Sequence, residues 1–224
     1  MNAAPLPPVK LGVLISGEGT NLQAIIDAIA GGDLRAEIRL VISNKASAGG
    51  LERARRHGIS VMTIDHRGYA NRRDFDHALA EALQSHDVEL VVCAGFMRLL
   101  SPVMIDAFRG RIMNIHPALC PAFPGVNAVR QALAYGARFT GCTVFFVTAG
   151  VDDGPIIVQA VVPVLQDDDE AALAARIHAE EHRIYPLAIR LYQERRLEID
   201  GRIVRIRDYG HSAASGTLVN PRLD

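Results

Sequence analysis

Two polar side chains in the segment Arg-Ile-Met-Asn-Ile-His-Pro, Asn114 and His116, stand where they could act on a substrate. They are two residues apart on a short apolar strand, so both point to the same side of a sheet. Pro117 cannot continue the ladder, which puts them at the strand's carboxyl end, where open α/β sheets bind ligands. Asp152 follows in a turn sequence, Val-Asp-Asp-Gly-Pro, after another apolar run. Together the three groups could stabilise an oxyanion and move protons, as acyl transfer requires.

Each of these residues also has a purely structural explanation. A buried Asn-x-His pair can serve only to satisfy loop backbone groups, and an Asp in a turn is commonly a turn former. Cys120 lies close to the pair and is a candidate nucleophile, but nothing in the sequence activates it. Three widely spaced cysteines without a CxxC pattern are typical of reduced thiols in the cytoplasm. The eight histidines form no HExxH or Cys/His cluster, so no metal site is expected.

The composition is that of an ordinary soluble globular protein. Of the 224 residues, 49% are hydrophobic and 22% are charged, which suits one domain with a sizeable core. The formal net charge of −1 argues against a general nucleic-acid binder. No apolar run reaches about 18 residues, so no membrane span is expected. The first nine residues contain three prolines and no long apolar core, so we expect no signal peptide and a cytoplasmic location.

Alternating apolar strands and amphipathic helices fill the first half of the chain. The hydrophobic pattern predicts strands over 10–15, 37–42, 60–64 and 88–94, and helices over 22–30, 51–56 and 71–85. This order predicts an α/β fold with a doubly wound, mostly parallel sheet.

The second half has a less regular pattern. We predict helices over 102–108, 128–135 and 168–194, the last interrupted by Pro186, and strands over 112–116, 143–148 and 156–164. The last two strands surround the Asp152 turn and could pair antiparallel. A hairpin is predicted over 197–206 through Asp200-Gly201, and 208–224 is expected to be a flexible tail.

A glycine-rich turn, Ser-Gly-Glu-Gly-Thr-Asn over 16–21, separates the first strand from the first helix. Its backbone N–H groups and the helix dipole could hold a phosphate. The turn is not a dinucleotide fingerprint, because Leu22 stands where the third glycine belongs, and it lacks the Lys-Ser/Thr of a P-loop. It could equally be a plain strand-to-helix turn capped by Thr20 or Asn21.

Three further residues have two open interpretations each. Arg98 follows the fourth predicted strand, where its guanidinium could hold a carboxylate or simply lie at the surface. His178 and Glu181 are three residues apart on one face of the long helix, and spacing alone favours solvent exposure.

Six segments together carry a family resemblance. In chain order they are Ile-Ser-Gly-Glu-Gly-Thr-Asn-Leu-Gln (15–23), Ser-Asn-Lys (43–45), Ala-Gly-Phe-Met-Arg-Leu-Leu-Ser-Pro (94–102), Asn-Ile-His-Pro (114–117), Val-Asp-Asp-Gly-Pro-Ile-Ile (151–157) and Glu-His-Arg-Ile-Tyr-Pro (181–186). With them the chain resembles the folate-dependent phosphoribosylglycinamide formyltransferase family over about residues 9–206.

The resemblance implies a single formyltransferase-type, Rossmann-like domain over 9–207. Its phosphate-binding half would cover 9–100 and its folate and catalytic half 101–207. The implied reaction moves the formyl group of 10-formyltetrahydrofolate to the amine of 5-phosphoribosylglycinamide, by direct amine attack through a tetrahedral intermediate, in de novo purine (IMP) biosynthesis. The folate is a co-substrate, and no metal takes part. The implied partners are small-molecule substrates, without nucleic acid or membrane, and the protein would be a monomer or homodimer.

The resemblance also implies which residues form the site. The catalytic trio would be Asn114, His116 and Asp152, with Asp152 favouring the imidazolium form of His116. The ribonucleotide would contact Gly19, Thr20, Asn21, His178 and Glu181, with Glu181 on the ribose hydroxyls. The folate would lie against Arg72, Met97, Arg98, Leu99, Leu100, Asn114, Thr148, Val151 and Asp152.

The chain departs from the family pattern at three places. Phe145 occupies a strand position where several members have His, which puts a proton-relay role of that position in doubt. Asp153 replaces a commoner small residue beside Asp152, so two adjacent carboxylates could couple. His178 stands where some members have a basic or amide residue.

Other functions remain open from the sequence. Formyltetrahydrofolate deformylase resembles the same core but normally carries an additional amino-terminal domain, and about nine residues precede the first predicted strand here. Methionyl-tRNA formyltransferase shares the trio but resembles this fold plus a carboxy-terminal RNA-contacting domain. A folate-binding or sugar-nucleotide-binding module would not need the trio, and a nicotinamide dehydrogenase would need the complete glycine fingerprint.

Overall fold

The computed structural model describes residues 6–208, and the strands within that range form one nine-stranded sheet. The strands are β1 (Val9–Ile15), β2 (Ala36–Ser43), β3 (Val61–Thr63), β4 (Leu90–Cys93), β5 (Ile112–His116), β6 (Phe139–Phe146), β7 (Ile156–Pro163), β8 (Leu197–Asp200) and β9 (Ile203–Ile206). Their order across the sheet is β3-β2-β1-β4-β5-β6-β7-β9-β8.

Helices connect most of the parallel strands. They are α1 (Thr20–Ala30), α2 (Gly49–Arg56), α3 (Arg72–Ser85), α4 (Pro102–Ala107), α5 (Ala128–Tyr135) and α6 (Glu170–Gln193), with a short 3₁₀ turn at His66–Gly68. Local sequence explains where the longer helices begin. The Asn71 side chain accepts the N–H of Asp74 at the start of α3, and the Asp169 side chain accepts the N–H of Ala172 at the start of α6.

The predicted fold class is confirmed. β1 runs parallel to β2 and β4, β2 to β3, and β4 to β5. β6 is antiparallel to both β5 and β7, and β8 and β9 form the predicted hairpin. The chain is therefore a doubly wound, mostly parallel α/β sheet with antiparallel strands in its carboxy-terminal half.

Helices cover both faces of the sheet. The larger core packs α1, α2, α5 and α6 against one face, around buried residues such as Leu22, Val92 and Ile177. The smaller core packs α3 and α4 against the other face, around Phe75 and Met104. The parallel strands are buried on both sides, which explains their continuous apolar sequences.

The predicted helices and strands match the observed ones to within two residues, with one exception. The strand predicted over 143–148 begins at Phe139 and ends at Phe146. Its antiparallel pairing with β7 extends from Phe139 opposite Pro163 to Phe145 opposite Ile156. The four residues before Thr143 therefore belong to the strand because they are hydrogen-bonded to β7. Thr148 consequently lies in the β6–β7 loop.

The interruption predicted at Pro186 is wrong. α6 runs without a break from Glu170 to Gln193 with Pro186 inside it. A proline removes one backbone hydrogen bond from a helix interior. Here the same helix buries Ile177, Ile184 and Ala188 against the sheet, and this packing holds the helix together across the missing bond.

The last two predictions concern the carboxy-terminal tail and the lack of a membrane-spanning segment. The tail predicted over 208–224 lies outside the described residues, apart from Asp208. Within the part of the chain that is described, no helix combines the length and the hydropathy needed to cross a membrane.

Candidate active site

The candidate site lies where the strand order of the sheet reverses. β1 has β2 on one side and β4 on the other, so the connections from β1 and β4 leave in opposite directions. Such a point opens a crevice at the carboxyl ends of the strands, where open α/β sheets bind their ligands. The glycine-rich turn follows β1, the segment from Ala94 to Ser101 follows β4, and β5 carries Asn114 and His116.

The glycine-rich turn is shaped by Gly19, which precedes α1 in a left-handed conformation (φ 72°, ψ 38°). A Cβ atom at this position would lie 2.7 Å from the Cα of Gly50 in α2. Only glycine therefore fits both the backbone angle and the close approach. The N-cap of α1 is Gly19 itself, which corrects the alternative in which Thr20 or Asn21 caps the helix. The first N–H groups of a helix have no partner within the helix, so those of α1 are available to an anion.

Asn21 and Glu181 join the glycine-rich turn to the long helix α6. The Nδ2 of Asn21 donates to Oε2 of Glu181 at 2.9 Å. Glu181 is only 3% exposed, and its burial raises the pKa of the carboxyl although the Asn21 hydrogen bond acts in the opposite direction. The spacing-based expectation that Glu181 faces solvent is wrong, because the helix turns this position towards α1. His178, three residues earlier, is exposed.

The imidazole of His116 is almost completely buried, with 4% of the residue exposed. Its Nδ1 lies 3.4 Å from Oδ2 of Asp152, and its Nε2 lies 2.8 Å from the carbonyl oxygen of Phe123. Both ring nitrogens thus face an acceptor, and only the protonated ring can donate to both. A neutral ring can donate to only one of the two acceptors.

Asp152 reaches His116 from the β6–β7 loop. Its backbone adopts a positive φ of 50°, which is uncommon for a residue other than glycine. The N–H of Gly125 donates to Oδ2 of Asp152 at 2.8 Å and fixes the carboxylate. The structure thus brings Asp152 and His116 together. Asn114 is half-buried on β5, the strand that carries His116, and lies opposite Cys93 of β4 and Phe145 of β6.

Asp153 is engaged elsewhere. Its Oδ1 accepts the hydroxyl of Thr148 at 2.5 Å, and its carbonyl oxygen accepts Nη2 of Arg202 at 2.7 Å. The Asp152 carboxylate is therefore the one of the adjacent pair that contacts the imidazole. The Thr148 hydroxyl, predicted to lie near the folate, is bonded within its own loop.

Three of the residues predicted to receive the folate are large apolar side chains exposed on the loops after β4 and β6. Met97 is 69% exposed and Leu99 is 54% exposed on the loop after β4, and Val151 is exposed on the loop that carries Asp152. Large apolar side chains left in water at one place commonly mark a binding surface. Arg98 and Leu100 are half-buried in the loop after β4, and Arg72 is exposed at the first turn of α3.

Sequence reasoning missed the loop that orients the imidazole and the carboxylate. The carbonyl oxygen of Phe123 and the N–H of Gly125 belong to the segment Ala-Phe-Pro-Gly, which follows β5. Its Pro-Gly dipeptide signals a turn. Nothing in the residue types indicates that backbone atoms of this turn contact the trio.

The cysteines have no activating environment. Burial raises the pKa of the Cys93 and Cys142 thiols to about 12 and raises that of Cys120. These thiols stay protonated near neutral pH, so a cysteine nucleophile does not fit the site. Over residues 6–208 there is also no group of three or more His, Cys, Asp or Glu side chains that could hold a metal ion.

Comparison with known proteins identifies the class to which this fold and site belong. The sequence pattern of the formyl transferase family matches residues 9–189, so the chain belongs to that family. Within it, the chain is similar to phosphoribosylglycinamide formyltransferases. The Escherichia coli protein of that name is 46% identical over 187 residues, which cover 84% of this chain and 88% of that protein.

Two other relatives extend the comparison. The crystal structure of glycinamide ribonucleotide transformylase 1 from Symbiobacterium toebii superimposes with a TM-score of 0.88 at 57% identity, covering 89% of this chain and 94% of that one. The trifunctional purine biosynthetic protein adenosine-3 of Drosophila pseudoobscura is 50% identical over 187 residues. The match covers 83% of this chain but only 14% of that longer protein.

Proposed function

We propose that this protein transfers the formyl group of 10-formyltetrahydrofolate to the amine of 5-phosphoribosylglycinamide, in de novo purine (IMP) biosynthesis. The observation that carries the proposal is the contact between His116 and Asp152 on a strand end that also holds Asn114. This arrangement occurs in a chain 46% identical to the phosphoribosylglycinamide formyltransferase of Escherichia coli over most of both proteins.

The reaction needs an acid and an oxyanion donor rather than a nucleophilic side chain. The glycinamide nitrogen attacks the formyl carbon, and the formyl oxygen becomes a tetrahedral oxyanion. Asn114 and the protonated His116 donate hydrogen bonds to that oxygen. The bond between the formyl carbon and the folate nitrogen then breaks. The attacking nitrogen loses one proton, the departing folate nitrogen gains one, and His116 assists this proton transfer. Asp152 stabilises the imidazolium throughout.

We assign the two ends of the crevice to the two substrates. The phosphate of the ribonucleotide lies at the start of α1, at Gly19, Thr20 and Asn21, where helix N–H groups and dipole favour an anion. The buried carboxylate of Glu181, beside Asn21, accepts the ribose hydroxyls, and His178 lies at the edge of the same site.

The folate lies on the other side of the trio. Its ring system covers the exposed Met97, Leu99 and Val151, which would otherwise remain in water. Six other side chains complete the proposed folate site. They are Arg72, Arg98, Leu100, Asn114, Thr148 and Asp152.

The remaining expectations are also proposals. We propose one domain over 9–207, with a phosphate-binding half (9–100) and a folate and catalytic half (101–207). We further propose that the protein works in the cytoplasm as a monomer or homodimer, on small molecules and without a metal. The cytoplasmic assignment is supported by three cysteines that are all free and buried.

The test follows folate turnover by absorbance with 10-formyltetrahydrofolate, in the presence and absence of 5-phosphoribosylglycinamide. We expect turnover only when the ribonucleotide is present, because its amine is the attacking group. Turnover without it would mean that water is the acceptor, as in a deformylase, and would overturn the proposal. Folate binding without turnover in either mixture would also overturn it and would indicate a binding module.

A further inference from the structure

The segment Met97–Leu100 carries the most exposed apolar side chains of the crevice and yet is fixed at both of its ends. It belongs to no helix or strand, and Met97 and Leu99 are 69% and 54% exposed. A loop with exposed side chains and no ladder would ordinarily be mobile. Here two buried polar side chains from distant parts of the sequence each bind one backbone N–H group of this connection.

The first end is held by Ser16, the residue that follows β1. The N–H of Met97 donates to the Ser16 hydroxyl oxygen at 2.9 Å, and that hydroxyl donates to Oδ1 of Asn44 at 2.6 Å. The N–H of Ser16 also donates to the carbonyl oxygen of Gly95 at 3.1 Å. Ser16 is buried, so the bond to Met97 is shielded from competing water.

The second end is held by Asp76, a residue of α3. Its Oδ2 accepts the N–H of Ser101, the residue directly after the segment. Asp76 is 0% exposed, and burial raises the pKa of its carboxyl against the effect of this bond and of Arg72 and Arg98 nearby. A fully buried carboxylate is costly unless it is paired or hydrogen-bonded, and the N–H of Ser101 is such a partner. A hydrophobic residue would pack the helix against the sheet equally well but could not bind the N–H.

An aromatic residue beside Asp76 connects the two ends. Phe75 contacts His66 edge-on at a centroid distance of 6.2 Å, and the Nδ1 of His66 lies 3.3 Å from Nδ2 of Asn44, the partner of Ser16. The guanidinium carbon of Arg98 lies over the Phe75 ring at 5.6 Å. The middle of the segment is thus tied to the same helix that holds its far end.

We propose that Ser16 and Asp76 are positioning residues that hold the segment Met97–Leu100 in the shape that receives the folate. The inference rests on the proposed function, because the folate is the ligand assigned to this segment. Neither residue needs to touch the folate. Each removes freedom from the free loop, so less conformational entropy is lost when the ligand binds.

The experiment compares variants that remove each bond with matched controls. Ser16→Ala and Asp76→Ala each remove an acceptor, whereas Asp76→Asn keeps a side-chain oxygen in the same place. Glu81→Ala, on the exposed side of α3, and Ser47→Ala, at an exposed position after β2, are the controls. For each variant, titration with tetrahydrofolate gives the dissociation constant, steady-state kinetics give KM for both substrates, and hydrogen exchange follows the amides of Met97 and Ser101.

We expect Ser16→Ala and Asp76→Ala to weaken folate binding about tenfold, because a loop that adopts the binding shape about a tenth as often binds with about a tenth of the affinity. The amide next to the altered residue should exchange faster, and KM for the ribonucleotide should change less than about twofold. Asp76→Asn should recover most of the folate affinity. A merely structural role would raise both KM values together or leave both unchanged, and that result would overturn the inference.

The outcomes separate this inference from the proposed function. If the unaltered protein does not bind tetrahydrofolate, the proposed function fails and the inference fails with it. If the unaltered protein binds folate and Ser16→Ala and Asp76→Ala bind it equally well, only the inference fails. If Asp76→Ala does not fold, Ser16→Ala decides the result, because it leaves the Asp76 carboxyl in place.

Discussion

The buried imidazole of His116 has an acceptor on each side, and this decides its chemistry. Phe123 supplies a neutral carbonyl oxygen at 2.8 Å, and Asp152 supplies a carboxylate oxygen at 3.4 Å. The second distance is longer than the 2.7–2.9 Å of a charge-assisted hydrogen bond. A substrate oxygen can therefore replace that contact more readily than the bond to Phe123.

The first prediction at this scale is that His116→Ala abolishes transfer while folate binding changes little. Loss of one oxyanion donor typically lowers turnover by 10²–10³, and here the proton donor is lost with it. Single-turnover formyl transfer and tetrahydrofolate titration measure the two effects separately. His77→Ala, at an exposed position of α3, is the matched control. Near-normal turnover of His116→Ala would remove His116 from the mechanism.

The second prediction separates the adjacent carboxylates. Asp152→Asn should lower kcat by about 10–100-fold, because the imidazolium loses its charged partner. Asp153→Asn should lower it less than about threefold, since that carboxylate bonds Thr148 rather than His116. Comparing kcat for the two variants at saturating substrates tests the assignment. A larger loss in Asp153→Asn would mean that Asp153 is the functional partner of the pair.

The positions of Asn114 and His116 could be predicted from the sequence, because they follow from residue type and spacing. The contacts made by backbone atoms could not be predicted, because they depend on how the loop after β5 folds. Two polar residues at strand spacing before a proline place Asn114 and His116 on one side of the sheet edge. The backbone acceptor at Phe123 and the donor at Gly125 have no such signature, because every residue type carries these groups.

At the scale of elements, the end of the crevice that we propose binds the phosphate depends on a close approach between α1 and α2. Gly19, in a left-handed conformation, is the N-cap of α1. The position where its Cβ atom would lie is occupied by Gly50, the second residue of α2. The N–H of Gly50 donates to the carbonyl oxygen of Gly17 at 3.1 Å, which fastens the turn to α2. The start of α1 is thus held rigidly where an anion would bind.

A third prediction follows for Gly19→Ala. A Cβ atom there would be 2.7 Å from Gly50 and would sit on a backbone with φ 72°. The expected costs are about 1–3 kcal/mol of unfolding free energy and a rise in KM for the ribonucleotide. Gly17→Ala is the control for stability, because a Cβ on Gly17 would meet nothing within 4 Å. Urea unfolding and ribonucleotide kinetics check the pair, and equal stability of the two variants would contradict the packing argument.

The bounds of the helices and strands show where tertiary contacts outweigh the local preference of the sequence. Periodicity located β5 and α5 to the residue, because their apolar patterns end at turn residues. At β6 the partner strand extended the ladder beyond the local signal, and in α6 the buried face outweighed the helix-breaking tendency of Pro186. In both places tertiary contacts overrode a local preference.

Across the whole molecule, the strand order explains how residues far apart in sequence form one crevice. The reversal at β1 and β4 brings 16–21, 94–101 and 114–116 to one edge of the sheet. Alternating strands and helices predicted the sheet class, and the switch point follows from that class. The pairing of Asn21 with Glu181, 160 positions apart, cannot be read from either local sequence.

Buried carboxyls at the crevice also shape the stability of the molecule as a whole. Burial raises the pKa of Glu181 and Asp76, so the folded state holds these protons more tightly than the unfolded chain does. Their ionisation therefore lowers the free energy of unfolding as the pH rises above the ordinary carboxyl range. A group that destabilises the fold when charged is consistent with selection for a function of that charge.

The last prediction uses Glu181→Gln to separate stability from binding. Below the ordinary pKa of 4.5, Glu181 is protonated in both states and contributes no pH dependence. From there up to its raised folded pKa, the unaltered protein loses stability with rising pH, and above that value the loss is complete. The variant has no such loss, so its advantage in urea unfolding should grow as the pH rises above the ordinary carboxyl range. KM for the ribonucleotide should nevertheless rise about tenfold, because an amide replaces the carboxyl that we propose accepts hydrogen bonds from the ribose hydroxyls. A variant whose stability runs parallel to that of the unaltered protein across this range would show that Glu181 does not carry the buried charge.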